Sequence, residues 1–520
     1  MELSDGFENG FRLHYQGPRQ AFECNNLQSA RSNPDQLVEK LNSEINLGRI
    51  AGPFKVKPFS NLRISPIGLV PKKSGGWRMI TNLSYPKDLS VNDFINPDLA
   101  TTSYTSFDKA IEMVLKLGKG AFLGKKDIKS AFRLLPIHPD DFVLLGMKFQ
   151  DNYYFDKCLP MGCSISCSLF ENFSTFLEWL VIDEAGHDTV EHYLDDFLFG
   201  GAKSETESLA SSGGTCQLLM DTFDGLCYEL GIPVADEKTE GPTTCLSFWG
   251  LEIDTIEMVV RVPLQKVQEV IRLIDQILPK VKVRLKELQS LAGSLAFCTR
   301  AMPGGRAFCR RIYGVMSGVS EPHYFIRITK GVREDLQTWL EFFKHFNGIC
   351  YISEANWLSN ADLQLYTDSA GNAGLGCGAI LGNQWFVWAW PSHWAYSVVI
   401  RDITFLELVP IALAICVWAD SLKNKKVIFH CDNLALVNIL NNKTSKSERV
   451  MKLLRPLVIL ALRKNVQFKA RHVPGVCNSV ADALSRFQWC RFRRLAPCAY
   501  QLPCTIPQES WDSLKLNSIL

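Results

Sequence analysis

Apolar and polar positions change their period several times along the chain, and those changes divide it. Residues 1–45 are polar, with Asn, Gln and Ser throughout, and read as an extension or lightly packed cap. Within them Leu37, Leu41 and Ile45, spaced by four after Asn33-Pro34, predict one helix. From Ile64 the texture turns apolar. Pro66-Ile67-Gly68-Leu69-Val70-Pro71 leads into Lys72-Lys73-Ser74-Gly75-Gly76-Trp77-Arg78-Met79-Ile80, which predicts a hairpin with Ser-Gly-Gly at its tip. Residues 122–127 predict a short strand closed by Asp127, and residues 169–182 a long helix entered through Leu159-Pro160-Met161-Gly162. Tyr193-Leu194-Asp195-Asp196-Phe197-Leu198-Phe199-Gly200 predicts two strands turning at the paired aspartates. A Ser- and Gly-rich loop over 203–215 precedes a helix through Leu219, Phe223, Leu226 and Leu230, and Phe248-Trp249-Gly250-Leu251 predicts another strand.

Beyond residue 260 the period is helical. Val267, Val270, Ile271, Ile274 and Leu278 share one face after Pro263, and Leu285, Leu288, Ala292 and Leu295 mark a second helix ending near Pro303-Gly304-Gly305. Residues 261–311 hold 11 Lys or Arg against three acids, a footprint suited to a duplex backbone, although two solvated helix faces also fit. The final third reads as strands over 362–368, 375–381 and 385–390, a helix over 403–420, a strand over 427–431, helices near 434–440 and 450–463, a strand over 466–470 and a helix over 479–487. That order predicts a mixed sheet flanked by helices.

Composition narrows the class. With 520 residues the chain is expected to hold two to four domains, and 47% hydrophobic with 21% charged residues describes a soluble globular protein. Net charge is only +2, so local charge carries the information. The 17 cysteines include no Cys-x-x-Cys pair, which argues against a zinc ribbon or a secreted disulfide framework and for a reducing, intracellular setting in cytoplasm or nucleus. Met1-Glu2-Leu3-Ser4-Asp5 does not resemble a secretion signal, and the longest apolar run, residues 408–419, is too short for a bilayer.

Two adjacent carboxylates among apolar neighbours repel each other and lose hydration, so Asp195-Asp196 suits a hard divalent cation, although a solvated Asp-Asp turn explains it equally well in isolation. Asp127, with Phe132 five residues on, suits a metal ligand beside a sugar-sensing wall. Lys72, Lys73 and Arg78 could converge on a triphosphate, though alone they would read as a solvated basic hairpin. In the last third, Asp368 ends a strand, Glu407 lies on a helix, Asp432 ends a strand and Asp482 lies on the last helix. Converging, they would be costly without metal.

Taken in order, these stretches resemble the fingers and palm of a reverse transcriptase, followed by a thumb and by RNase H. The resemblance covers residues 46–487 and rests on eight or more ordered motifs. It implies that Asp127, Asp195 and Asp196 are catalytic metal ligands. Phe132 matches the sugar gate, Lys72 or Lys73 and Arg78 the triphosphate cations, and Met161-Gly162 the nucleotide-backing motif. Many retroviral enzymes carry Gln at the Met161 position, so contact here must be by packing. Lys238 resembles the lysine of the following motif, and Phe248-Trp249-Gly250 resembles the primer grip. Thr367-Asp368-Ser369, Glu407, Cys431-Asp432-Asn433 and the stretch from His472 to Asp482 resemble RNase H, with His472 as its mobile histidine. Leu-Pro-Met-Gly, Gly231-Ile232-Pro233 and Glu237-Lys238-Thr239 look most like DIRS-type, tyrosine-recombinase retroelements.

The implied fold is α/β and α+β multidomain: an extension over 1–45, fingers and palm over 46–258, thumb and connector over 259–360, RNase H over 361–487, and a tail over 488–520 that reads as a linker or solvated end. The implied cofactor is magnesium, two ions per site, with manganese as a substitute. The implied partners are an RNA template, a DNA or RNA primer, deoxynucleoside triphosphates and the RNA–DNA hybrid, with no membrane. A catalytically inactive, captured nucleic-acid-binding remnant is the rival reading, and the presence of all seven expected acids argues against it. An RNA-dependent RNA polymerase shares a palm, but Phe132 and the second acid set argue against it.

Overall fold

The computed structural model describes residues 2–72, 75–203, 214–347, 350–351, 358–514 and 516. Two compact units divide the chain, Met1–Trp249 and Gly250–Leu520. Lys73 and Ser74 of the basic hairpin and most of the 203–215 stretch lie outside the described residues.

The first unit is built on a four-stranded sheet in the order Glu240–Thr243, Phe122–Asp127, Asp196–Gly201, Val190–Tyr193. Phe197-Leu198-Phe199 is a continuous buried run on a central strand, and Phe197 and Phe199 bury their rings against Phe223 of the Gly214–Glu229 helix. The Ser166–Ala185 helix packs beside that helix and completes the core with Phe170, Phe173, Leu177 and Val181. The basic hairpin forms as expected, Ile67–Pro71 antiparallel to Trp77–Thr81 with Pro71 opposite Trp77.

The N-terminal stretch departs from its polar texture. Phe11, Leu13 and Tyr15 are buried in the same core as Phe170 and Phe197, and the Phe11 backbone bridges Ile137. The predicted helix runs Pro34–Asn46 with proline in its first turn, and Leu37 and Leu41 are buried among Ile50, Ile67, Leu69 and Met147. This segment is therefore a structural wall rather than a lightly packed cap. Leu37→Ala should lower the stability of this unit by about 3 kcal/mol, read by denaturant unfolding; an unchanged midpoint would contradict the packing.

The second unit begins where the sequence suggested a straight strand. Phe248 ends the Cys245–Phe248 strand, and Trp249 (φ 49°) and Gly250 (φ 73°) are left-handed, so the chain turns there instead of continuing a ladder. Helices Leu264–Ile277 and Leu285–Cys298 form as expected, the second closing five residues before Pro303, but each carries as many acids as Lys or Arg, so the basic excess of this segment lies in the residues around them. The connector, uninformative in sequence, is an ordered core: the Lys330–His345 helix buries Trp339, Phe342 and Phe343, and its Asp335 is buried against Arg311 (3.1 Å) and Arg455 (3.5 Å).

Strands Leu365–Ser369, Gly376–Leu381 and Gln384–Ala389 are antiparallel; Lys426–Cys431 and Gln467–His472 pair in parallel with each other, and the former lies against Leu365–Ser369. The first strand starts later than predicted, because Asn360–Leu363 forms a helical turn and Gln364 is left-handed (φ 52°). The Ile403–Val417 helix is apolar all round and buried at nearly every position, which places it across the sheet face. The tail is not a solvated end. Its Trp489–Leu495 helix buries Phe492 against the Trp385 ring (5.1 Å), and Trp385 Nε1 donates to the Tyr500 carbonyl (2.6 Å).

Candidate active sites

The hairpin that carries the paired aspartates turns one residue earlier than expected. Leu194 and Asp195 form the turn, Leu194 with φ 52°, and Asp196 already opens the next strand. Asp196 therefore stands opposite Tyr193 on one side and Asp127 on the other. The backbone locks this register: Ile128 N–H donates to the Asp195 carbonyl (2.9 Å), and Ala235 N–H to that of Asp127 (2.8 Å). Three carboxylates meet at one end of one sheet.

Their electrostatics fit a missing positive charge. Burial, then the Asp127 charge, raises the Asp195 carboxyl; burial and Asp195 push Asp196 up to about 7. Lys238 Nζ lies 2.7 Å from Asp127 Oδ2, and that bond with the surrounding carboxylates overcomes burial to keep the lysine above its ordinary range. Lys238, and Arg78 acting on Asp195 through its charge, are outnumbered by the three acids. A cleft of about 420 Å³ opens over it, lined by Asp127, Asp195, Lys238, Lys72, Arg78 and Met161. Gly162 is required beside Met161: its φ is 108°, and a Cβ would lie 2.8 Å from the Thr81 carbonyl.

Phe132 and the three grip residues do not line this cleft. Phe132 is half-buried and turned edge-on to Phe170 (5.3 Å), while Ser130, Ala131 and Arg133 line the cleft in its place. Phe248 is fully buried; Trp249 stacks on it (5.0 Å) and meets Tyr193 edge-on (4.7 Å), joining the grip motif to the aspartate hairpin. Gly250 opens the second unit, with Phe297 3.2 Å from where its Cβ would be.

Sequence reasoning missed the supports of this site. Asn92 brackets the Met161-Gly162 turn, donating to the Gly162 carbonyl (2.9 Å) and accepting from Ser164 N–H (2.9 Å). His192 is buried between Glu178 on Nδ1 and Glu171 on Nε2 (3.4 Å), and Glu171 also accepts Leu194 N–H (3.1 Å) at the strained turn. The available signal was Glu171 and Glu178, seven apart on one helix face, opposite a histidine three residues before Asp195. Burial would depress His192, but the two glutamates outweigh it and raise it to about 9. Its folded value lies above the ordinary 6.5, so the clasp contributes fully below pH 6.5 and is lost as pH rises through about 9. Stability should fall by roughly 2–3 kcal/mol across that window, and His192→Gln should flatten the slope in denaturant titrations at several pH values.

The second unit gathers the other four acids from four elements. Asp368 lies on Leu365–Ser369, Glu407 on Ile403–Val417, Asp432 just past Lys426–Cys431, and Asp482 on Ser479–Ser485. Burial, aided by Asp482 and Asp432 and partly offset by the Ser485 hydroxyl (2.6 Å), pushes Asp368 up to about 7. Burial and the charges of Asp368 and Asp432 raise Glu407 well above the carboxylate range. Ligand atoms of Glu407, Cys431 and Asp432 lie within 4.8 Å of one another, but burial pushes the Cys431 thiol up to about 12, so the available donors are carboxylate oxygens. Burial alone would raise Asp482; hydrogen bonds from Arg486 and Arg491 outweigh it and hold the carboxyl low. His472 Nε2 sits 3.2 Å from the Asp432 carbonyl at the rim. Both clusters thus offer crowded carboxylate oxygens whose charged forms burial and mutual repulsion disfavour, a donor set that a hard divalent cation would relieve.

Residues 70–253 match the family model described as reverse transcriptase (RNA-dependent DNA polymerase), and residues 412–488 match one described as reverse transcriptase-like. The chain is 22% identical over 294 residues to the Gag-Pro-Pol polyprotein of Human T-cell leukemia virus 3 (strain 2026ND), covering 54% of this chain and 18% of that one. It is 24% identical over 174 residues to the Transposon Tf2-3 polyprotein of Schizosaccharomyces pombe, covering 34% and 12%. The chain therefore spans less than a fifth of either relative. Among solved structures, the foamy viral protease-reverse transcriptase dRH in complex with double-stranded DNA superposes with a TM-score of 0.50 at 15% identity, over 88% of this chain and 72% of that one. The same viral protein in complex with an RNA/DNA hybrid gives a TM-score of 0.50 at 15% identity, over 88% and 55%. The chain carries a reverse transcriptase domain and, after it, a reverse transcriptase-like domain of RNase H type, with homologues among retroviral and retrotransposon polyproteins.

Proposed function

We propose that this chain extends a primer with deoxynucleotides on an RNA template and cleaves the RNA of the resulting hybrid. The observation that carries this reading is the in-register pairing of Asp196 with Asp127 beside Asp195, under a cleft edged by Lys72, Arg78 and Lys238. Asp127, Asp195 and Asp196 would hold divalent cations in the first unit. Asp368, Glu407, Asp432 and Asp482 would do so in the second. Two magnesium ions per site, replaceable by manganese, would supply Lewis-acid stabilisation of the leaving oxygen and activation of the attacking one. The chain's own part is to bind and orient. Lys72 and Arg78 reach the triphosphate, Met161 and Gly162 back the base pair, and Lys238 offsets the Asp127 charge until a cation is bound. Trp249 steadies the primer end through Tyr193, and His472 assists release at the hybrid site. Fingers and palm correspond to residues 46–258, thumb and connector to 259–360, and RNase H to 361–487. The wording around Met161, Gly231 and Lys238 supports a DIRS-type retroelement origin, and free thiols at sixteen of the cysteines support an intracellular setting. No helix among the described residues is long and apolar enough to cross a membrane.

Primer extension on an RNA template in magnesium tests the reading. Folded protein without product would favour the inactive nucleic-acid-binding remnant. Phe132 remains the proposed sugar gate, adjacent in sequence to the cleft-lining Ala131 and Arg133. Phe132→Ala should raise ribonucleotide incorporation by about tenfold or more. Unchanged sugar selectivity would instead leave it as a packing partner of Phe170.

A further inference from the structure

Of the four acids in the second unit, Asp482 is engaged differently. Both of its oxygens are taken by arginines: Arg486 Nε lies 2.6 Å from Oδ1 and Arg491 Nη1 2.6 Å from Oδ2. Asp368, by contrast, accepts from the Ser485 hydroxyl, and Glu407 accepts from Ser369 while facing other acids; Arg486 acts on both through its charge without an ion-pair contact. Arg486 is the C-cap of the same helix, four residues on. Arg491 comes from the tail helix, Trp489–Leu495, beyond the strand and helix order that defines the domain.

That helix is rigidly seated. Phe492 is fully buried against Trp385, and the Arg493 guanidinium lies 5.5 Å over the same ring while donating to the carbonyls of Ala499 (2.9 Å) and Gln501 (2.8 Å). Gln488 accepts a further bond from Arg491 (2.8 Å), which orients the guanidinium. Yet the two clamping side chains remain 43% and 38% exposed, so an incoming polyanion can reach them. A guanidinium fork matches a phosphodiester as well as a carboxylate.

We propose that Arg486 and Arg491 clamp Asp482 at rest and that the phosphate backbone of the hybrid, by drawing these guanidiniums to itself, frees the carboxylate for the divalent cation. The proposal rests on the RNase H reading of this site. Two cations beside the acid cluster disfavour metal in the free protein, and a bound backbone removes that opposition. Metal and hybrid then bind with positive coupling, and by linkage each strengthens the other equally. Arg491 is on this account a positioning residue that acts through Asp482, and the tail helix belongs to the site.

The test is calorimetric titration of manganese into the full chain carrying Asp127→Asn and Asp195→Asn, which leaves only the second cluster. A hybrid with a non-cleavable 2′-modified RNA strand is present or absent. The hybrid should tighten manganese binding about fivefold. Arg491→Gln should bind manganese about fivefold more tightly without hybrid and gain little when it is added; Arg491→Lys should restore part of the coupling. Arg486→Gln, which leaves the tail helix untouched, should act in the same direction if Arg491→Gln fails to fold. Equal or weaker manganese affinity in the folded glutamine variants, or undiminished coupling, overturns the clamp. Absence of any manganese binding that Asp432→Asn removes overturns the RNase H reading itself, and the clamp with it.

Discussion

Asp195→Asn should stop primer extension, with a loss on the order of 10³-fold or more, while leaving hybrid cleavage at its original rate. The size follows from position. Asp195 sits in the two-residue turn, its carboxyl is raised by burial and by Asp127, and it lines the cleft with Lys72 and Arg78. Asparagine keeps the shape and removes the charge that a divalent cation would neutralise. The fold should not suffer, because the substitution relieves repulsion on Asp196, so the melting temperature should hold or rise. Primer extension and hybrid cleavage measured on the same purified protein, with a thermal melt as control, check all three statements.

Asp432→Asn should do the reverse, reducing hybrid cleavage on the order of 10³-fold and sparing DNA synthesis. Asp432 follows the Lys426–Cys431 strand, and its charge, with that of Asp368, helps raise Glu407. The neighbouring Asn433 caps the next helix by accepting Leu436 N–H (3.0 Å), and that cap is untouched by the change. If either substitution kills both activities in folded protein, the assignment of separate reactions to the two acid clusters is wrong.

Much of this was legible in the residues because the relevant signals are local. Period-two and period-3.6 patterns placed the basic hairpin, the Ser166–Ala185 helix, the strands that carry Asp127 and Asp368 and the strand that leads into Asp432. What escaped depends on contacts distant in sequence. The aspartate hairpin turns at Leu194-Asp195, not Asp195-Asp196, because Glu171 holds the Leu194 N–H of a left-handed residue that propensity would never choose. Phe11, Leu13 and Tyr15 alternate in a way that marked a buried edge, yet the polar residues around them hid it. The tail carried the same lesson. Phe492 and Trp385 are 107 positions apart, and their packing sets the helix that brings Arg491 to within 2.6 Å of Asp482. For Phe132 the fold adds to the spacing: its distance along the chain from Asp127 fits a gate, and its ring packs on Phe170.

Divalent cations seated between the carboxylates are the premise shared by both halves of the chain. Anomalous diffraction from crystals soaked in manganese addresses it directly. Peaks should appear among Asp127, Asp195 and Asp196 and, separately, among Asp368, Glu407 and Asp432, and each set should vanish in the matching Asp195→Asn or Asp432→Asn crystal. Ordered carboxylates at both places with no manganese beside them would contradict the account.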